Sequence, residues 1–477
     1  MSLVAGAGLS RQMAHSSTLR RLRRAFDGTV HLPGDAAYDT LRAPLNPALN
    51  PRPAIVAAPA SATDVQAAVI AAREDGLPVA VQATGHGLHR SYVGGLLLNV
   101  AGMRSVSVDP DRRVARVGPG ATWGQVLAAA APFGLAPLSG SSPSVGVTGF
   151  TLGGGVGWLS RRHGFAADGV VRAEVVTAAG QRITASADRH EDLFWALRGG
   201  GGGFGIVTEL EFRLHPVERV YAGTSWFPLE RAGETLAAYR DWAENAPDEL
   251  STAILLTREA LGIRLMHAGE AAEAERLIEP LRAAAGPALV NGFRTEPYAA
   301  VAIGGTAPRH LDLLPRLPDT VLDFLVEAAG DEGLGISTIE LRHWGGAMAG
   351  PAAGAGPVGH RGVPFSLIAD SAEPALVETL RPHATGGSFL NFLADTTRTA
   401  SAYTPTDHRR LGEVRATYDP DDVFRLNHHV PPRRILERHG RPIESAGLGR
   451  RVGARGGVRV RPSAGHARTR RVRVDAG

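Results

Sequence analysis

Cysteine is absent from the chain, and so is lysine: all 51 basic residues are arginine. The first absence excludes disulfides, thiolate metal sites, cysteine nucleophiles and any cysteinyl bond to a cofactor. The second excludes lysine Schiff bases, hence pyridoxal phosphate chemistry, and the P-loop with its phosphate-binding lysine. With abundant Ala, Gly and Pro beside it, the arginine reads as a GC-rich coding sequence rather than as selection for guanidinium chemistry. Long apolar runs are missing too. No stretch of about 18 apolar residues offers a membrane span. The opening MSLVAGAGLSRQM is too weakly apolar for a secretory core, and Arg20 and Arg21 lead into Leu22, Arg23 and Arg24 rather than an apolar segment. A cytoplasmic protein with no membrane partner is expected.

What is present suits globular folding: 477 residues, 44% of them apolar, can build two or three cored domains. The high pI, about 9.8, is a local property. From residue 436 to 477 eleven arginines face three acids, a net charge of +8, so the rest of the formal +4 chain carries −4. That Gly/Arg-rich stretch has no core-forming period and reads as a disordered tail, with an arm for anionic polymers as the rival reading. The acidic body predicts no nucleic-acid partner.

Residues 52 to 87, RPAIVAAPASATDVQAAVIAAREDGLPVAVQATGHG, read as strand, helix, strand. Ser61 can cap the helix, with Asp64 three residues on; Val65, Ala68, Val69 and Ala72 form its apolar face, and Gly76 ends it. Apolar runs at 54–58 and 77–83 complete a βαβ pattern. It delivers His86, between Gly85 and Gly87, to the carboxyl end of a strand, where α/β folds place ligands. Two more glycine clusters follow, SVGVTGFTLGGGVGW (144–158) and FWALRGGGGGFGIVTELEFRL (194–214). The second contains a formal G-x-G-x-x-G at Gly200, Gly202 and Gly205, but a helix-like segment precedes it and an alternating strand follows, the reverse of a Rossmann fingerprint. Beyond Pro216 helical and strand-like stretches alternate, and the Gly/Ala/Pro run 345–362 reads as a mobile loop. Three glycine turns in one α/β region suggest a long phosphorylated ligand held by backbone N–H groups, which must do the work a lysine would otherwise do.

QATGHG, SVGVTGFTLGGGVGWLSRRHG, DLFWALRGGGGGFGIVTELEF and YDPDDVFRLNHHVPP, in this order, resemble the motifs of the berberine bridge enzyme-like FAD-linked oxidoreductases of the vanillyl-alcohol oxidase (PCMH-type) superfamily, over about residues 25–432. The resemblance implies an α+β fold: a two-part PCMH-type FAD-binding domain (20–217), an α+β substrate domain with an antiparallel sheet covered by helices (218–402), and a C-terminal segment (403–435) returning to the FAD domain ahead of the tail (436–477). It implies FAD as cofactor, bonded through His86, with Thr84, Gly85 and Gly87 around it. Gly146, Thr148, Gly149, Leu152, Gly153, Gly154 and Gly155 would surround pyrophosphate and flavin, Ile206 and Val207 would offer backbone to the adenine side, and Asn427 and His429 would return to the flavin. Many relatives carry a second linkage from a cysteine just before Pro-x-Val-Gly; Ser142 stands there, so one covalent bond is expected. Val145 occupies the position that gates oxygen, and a β-branched group there goes with oxidases, so O2 is the expected acceptor.

Relatives that oxidise alcohols often use the tyrosine of a Tyr-x-Asn motif as base. Here GGSFLNFL puts Phe389 in that place, and phenylalanine cannot titrate. Alternation along STIELRHW puts Glu340 and Arg342 on one strand face and Leu341 and His343 on the other. With Leu341 against helices, Glu340 would face the flavin as base and Arg342 would orient a carbonyl or phenolate, a structural ion pair being the alternative. Tyr298, Asn391, Tyr403 and His343 are further candidates. The expected activity is hydride transfer from a small-molecule alcohol or secondary metabolite to FAD and then to O2. The rivals are an oxidative cyclase or dehydrogenase of the same fold, a flavoprotein that binds a drug-like ligand without turnover, and a nucleic-acid protein acting through the tail. No metal site is expected.

Overall fold

Three sheets and a two-stranded ribbon organise the computed structural model, which describes residues 16–433; the arginine-rich tail lies outside the described residues. The first sheet holds β1 (Thr29–His31), β2 (Ile55–Ala58), β3 (Val79–Gln82) and β4 (Leu96–Asn99), in the order β1-β2-β4-β3. Between β2 and β3 runs α1 (Ala62–Glu74). Its N-cap is the expected one: the Ser61 hydroxyl accepts from the Asp64 N–H at 3.2 Å, a bond of the kind that contributes about 1 kcal/mol. Its stripe of Val65, Ala68, Val69 and Ala72 is buried under the sheet. One departure from the simple βαβ pattern is informative. β2 and β3 do not pair with each other; both run parallel to β4, which lies between them. All four residues of β4 are buried, and a strand apolar on both faces is best satisfied in the middle of a sheet.

The second sheet is antiparallel: β5 (Val106–Asp109), β6 (Val114–Val117), β7 (Val170–Val176), β8 (Arg182–Ser186) and β9 (Ile206–Arg213), in the order β5-β6-β9-β7-β8. The short helix α2 (Val147–Leu152) carries the second glycine motif. The Gly200-Gly202-Gly205 run joins the helix Glu191–Leu197 to β9, the helix-to-strand order that tells against a Rossmann turn.

The third sheet has seven strands: β10 (Arg219–Phe227), β11 (Leu250–Leu256), β12 (Leu261–His267), β13 (Arg294–Pro297), β14 (His310–Leu314), β15 (Ile339–His343) and β16 (Phe365–Ala369). Their order is β13-β10-β12-β11-β15-β16-β14, with every pairing antiparallel. Ile254, Ile263, Leu265, Leu341 and Leu367 point from one face into a core shared with α3 (Ala232–Ala243), α4 (Ala271–Ala285) and α5 (Asp319–Gly330). The opposite face turns towards the glycine motifs. Ala222, Ala253 and Met266 pack there on Trp158 and Leu159, and Leu313 and Ile368 on Phe165 and Phe389.

Beyond Pro374–Leu380 the chain returns through α6 (Pro405–Tyr418), capped by the Thr404 hydroxyl. Arg415, fully buried, donates to Asp419, Asp422 and the Phe424 carbonyl, which turns the chain so that Val423 and Phe424 pack under the first sheet. The Gly/Ala/Pro run is not a free loop: Met348 and Val358 are buried among Phe165, Trp344 and Phe389.

Candidate functional site

The first glycine turn exists because only glycine fits it. Gly85 sits at φ +77°, and a Cβ there would stand 2.9 Å from the Leu45 nitrogen and 3.1 Å from Pro44 Cα. The turn presents His86, half-buried, with Nδ1 3.0 Å from the Thr84 hydroxyl and Nε2 3.5 Å from that of Ser144, itself 2.9 Å from Ser142 Oγ. Burial lowers the His86 pKa, so at neutral pH the imidazole keeps a lone pair for bond formation. Asn427 comes from the C-terminal segment: its amide donates to the Gly87 carbonyl at 2.6 Å and its oxygen accepts from the His89 N–H at 3.3 Å. His429 does not meet the turn; Asp422 takes it at 2.8 Å. Its neighbour His428, which the sequence reading passed over, faces the His89 ring at 5.0 Å.

The second motif lies against the first. A Cβ on Gly146 would come within 3.3 Å of Thr84 Oγ1, so the His86 turn and the start of α2 touch. Gly154, at φ +112°, lets the Phe389 ring in so closely that a Cβ would meet it at 2.9 Å. Phe389 is buried against Phe165, Trp344 and the partly buried Phe392, so an apolar aromatic cluster occupies the position where the sequence resemblance implied a base. Asn391, proposed above as catalytic, is spent on backbone: Oδ1 accepts from the Gly155 N–H at 2.9 Å and Nδ2 donates to the Phe150 carbonyl at 3.0 Å. It clamps the glycine loop.

The other catalytic candidates, Tyr403 excepted, are engaged as well. Glu340 and Arg342 share the inward face, as strand alternation implies. Glu340, however, is wholly buried and saturated: it accepts from Arg264 at 2.9 Å, Arg342 Nε at 2.8 Å, and the Thr306 N–H and hydroxyl at 3.1 and 2.9 Å. Burial alone would raise its pKa, but Arg342 and Arg264 outweigh it and hold the carboxyl below its ordinary value. It is the ion pair of the two alternatives, not a free base. Arg342 lies 4.5 Å over the Trp158 ring. The Tyr298 hydroxyl donates to the Pro137 carbonyl at 3.0 Å and stands 3.0 Å from Ser139 Oγ, and burial pushes it up to about 12. The Tyr403 hydroxyl is buried without a hydrogen-bond partner, and that burial raises its pKa. His343 lies 3.0 Å from Arg161, and burial, then that guanidinium, push it down to about 3.

A cavity of about 290 Å³ opens on the inner sheet face, walled by Trp226, Leu255, Arg264, Gly305, Thr306 and Asp370 among others. Its rim reaches the first motifs, since a Cβ on Gly305 would lie 3.2 Å from Ser141 Oγ, beside Ser142. Arg264 was missed in the sequence. The signal was a lone charge in the middle of the apolar run LGIRLMH.

Residues 53–186 match the FAD binding domain family and 388–431 the berberine and berberine-like family. The (R)-6-hydroxynicotine oxidase of Paenarthrobacter nicotinovorans is 30% identical over 453 residues, 86% of this chain and 97% of that protein. The chain belongs to the berberine bridge enzyme-like FAD-linked oxidoreductases. Among solved structures of this family, xylooligosaccharide oxidase from Myceliophthora thermophila in complex with xylobiose superposes with a TM-score of 0.77 at 25% identity, covering 88% of this chain and all of that one. Glucooligosaccharide oxidase from Acremonium strictum, with its 6-S-cysteinyl, 8α-N1-histidyl FAD, gives 0.76 at 25% identity over 87% and 99%.

The berberine bridge enzyme-like chain binds FAD, and its residues suit that cofactor. The hydroxyls of Thr148 and Thr151 are buried without a protein partner. Gly87 and Gly149 border open space, where a Cβ would meet nothing within 4 Å. Ile206 and Val207 pair with β7 on one side, while β6 joins β9 only from Leu210 onward, which leaves one backbone edge of that oxidoreductase strand open. No helix among the described residues is long and apolar enough to cross a membrane.

Proposed function

We propose that the protein is an FAD-linked oxidase of small molecules that holds its cofactor through a single covalent bond at His86 and uses O2 as acceptor. The observation that carries the linkage is the group at the second attachment position: Ser142, hydrogen-bonded to Ser144 beside His86, in a chain without thiols. A serine hydroxyl is too weak a nucleophile to replace a thiolate there. Val145, half-buried at the start of the second motif, leaves oxygen access. The domain boundaries stay as the sequence suggests, with the substrate cavity built by residues 218–402.

FAD, when bound, accepts a hydride equivalent from the substrate. An alcohol must also lose its hydroxyl proton in that reaction, whereas a neutral amine need not, because its nitrogen lone pair supplies the push. Phe389 cannot take a proton, Glu340, Tyr298 and Asn391 are already engaged, and the unpartnered Tyr403 hydroxyl has its pKa raised by burial, which keeps it protonated. Asp370, on the cavity wall, has its oxygens held by the Ser337 and Thr338 N–H groups at 3.1 and 3.2 Å and by the Ser337 hydroxyl. This favours oxidation next to nitrogen over the alcohol chemistry expected from sequence, in keeping with the name of the nicotine oxidase relative. The test is acid precipitation followed by a turnover panel. Yellow colour is expected in the pellet, and peroxide under air with amines ahead of alcohols. Colour in the supernatant would overturn the bond at His86; colourless native protein would overturn the cofactor; peroxide with alcohols alone would overturn the amine preference.

A further inference from the structure

We infer that the cavity on the inner face of the seven-stranded sheet is a carboxylate pocket, in which Arg264 takes an oxyanion of the ligand. That the ligand is the substrate rests on the oxidase reading; the binding itself does not.

Arg264, Arg342 and Glu340 are all buried, exposed 8%, 6% and 0%. Two guanidiniums thus share one carboxylate, and that carboxylate has no capacity left. Glu340 Oε2 already accepts from Arg264 Nη1 and both Thr306 donors, and Oε1 from Arg342 Nε and Nη2. Arg264 Nε reaches Thr224 Oγ1 at 3.3 Å. Among the described residues nothing accepts from Arg264 Nη2, and this arginine lines the cavity. The Nη2 edge opens on the cavity, and a guanidinium otherwise withdrawn from water gains from an acceptor that arrives there. The best match to that planar edge is a flat oxyanion. Asp370, the acid on the same wall, has both carboxylate oxygens already accepting from the Ser337 and Thr338 N–H groups and the Ser337 hydroxyl. Trp226, Leu255 and Ala307 supply an apolar surface for the rest of the molecule. A small aromatic or short aliphatic acid fits about 290 Å³. The loop at Gly305 leans on Ser141, so such a ligand would lie next to the Ser142–Ser144–His86 chain.

The test is calorimetric titration of the purified holoprotein with benzoate and with benzamide, its neutral isostere. Benzoate is expected to bind roughly ten- to a hundredfold more tightly. Arg264→Gln should abolish the preference, and Glu340→Gln, which removes the competing carboxylate, should strengthen benzoate binding. Equal affinities, no benzoate binding, or an undiminished preference in Arg264→Gln would overturn the pocket. Should Arg264→Gln fail to fold, Arg264→Lys keeps the charge without the fork and is expected to weaken the preference; the wild-type acid-to-amide ratio decides the matter in either case. The two readings fail separately. Protein lacking flavin colour tells against the cofactor, and yellow protein indifferent to the acid-to-amide exchange tells against the pocket.

Discussion

At the scale of single residues the proposed attachment of the cofactor turns on two positions, His86 and Ser142, linked through the Ser144 hydroxyl. His86 is half-buried and held by Thr84 on one nitrogen, while its other nitrogen looks through Ser144 towards Ser142. The glucooligosaccharide oxidase neighbour bears both a cysteinyl and a histidyl bond, and this chain has the histidine with a serine opposite. A cysteine installed there should therefore supply the missing nucleophile. In His86→Ala the colour is expected to leave the acid pellet, and in the double variant His86→Ala with Ser142→Cys to return to it, with the flavin mass on the peptide containing position 142. Colour in the pellet of His86→Ala alone, or a colourless pellet from the double variant with FAD still bound before acid, would remove the case for these two attachment points.

At the scale of elements, side chains that resembled catalysts in the sequence act as fasteners. Asn391 joins the segment after Pro374–Leu380 to the glycine loop by one donated and one accepted bond. Asn391→Ala would leave the Gly155 N–H and the Phe150 carbonyl unpaired, a loss of about 2 kcal/mol, read as a lower melting temperature with weaker flavin retention. Glu340 ties β15 to β12 through Arg264. If it is the buried partner of two arginines, Glu340→Ala costs about 3–5 kcal/mol of stability; a variant that melts like wild type yet loses turnover would restore Glu340 as a base. Why these roles were illegible is a matter of sequence distance. α1 was readable because Ser61, its apolar stripe and Gly76 are consecutive, and capping and periodicity are local. Alternation correctly placed Glu340 opposite Leu341. It carried no information about Arg264, 76 residues away, or about Gly155, 236 residues from Asn391. The glycine and histidine motifs were legible because backbone requirements write themselves into adjacent positions. The position of β4 between β2 and β3 was not, since an apolar run states its burial without naming its neighbours.

At the scale of the whole molecule, burial has been imposed on groups that would ionise in water, and this makes stability depend on pH. His163 and His215 stack at 3.9 Å, His215 lying in the ribbon His215–Pro216 that leads from the second sheet to the third. Each leaves its Nε2 buried without a partner. Burial, then Arg162, push His163 down to about 4, with Glu249 offsetting a part. Burial, then His163, Arg213 and Arg162, do the same to His215. His428 is also pushed to about 4, by burial and then His89, and His343 to about 3. Their folded-state pKa values lie below the 6.5 of an exposed imidazole, so between the two values the unfolded chain binds more protons. The stability these neutral rings contribute is complete above that ordinary value and is lost as pH falls towards 4, with a slope approaching about 1.4 kcal/mol per pH unit for each histidine. The melting temperature is expected to be level from about pH 7 to 8 and to drop steadily between about pH 6.5 and 4. His163→Phe with His215→Phe keeps two stacked rings and removes both protonation sites, so its profile should be flatter across that window. An equally steep fall in the double variant would mean that the stacked pair is not where the fold resists protons.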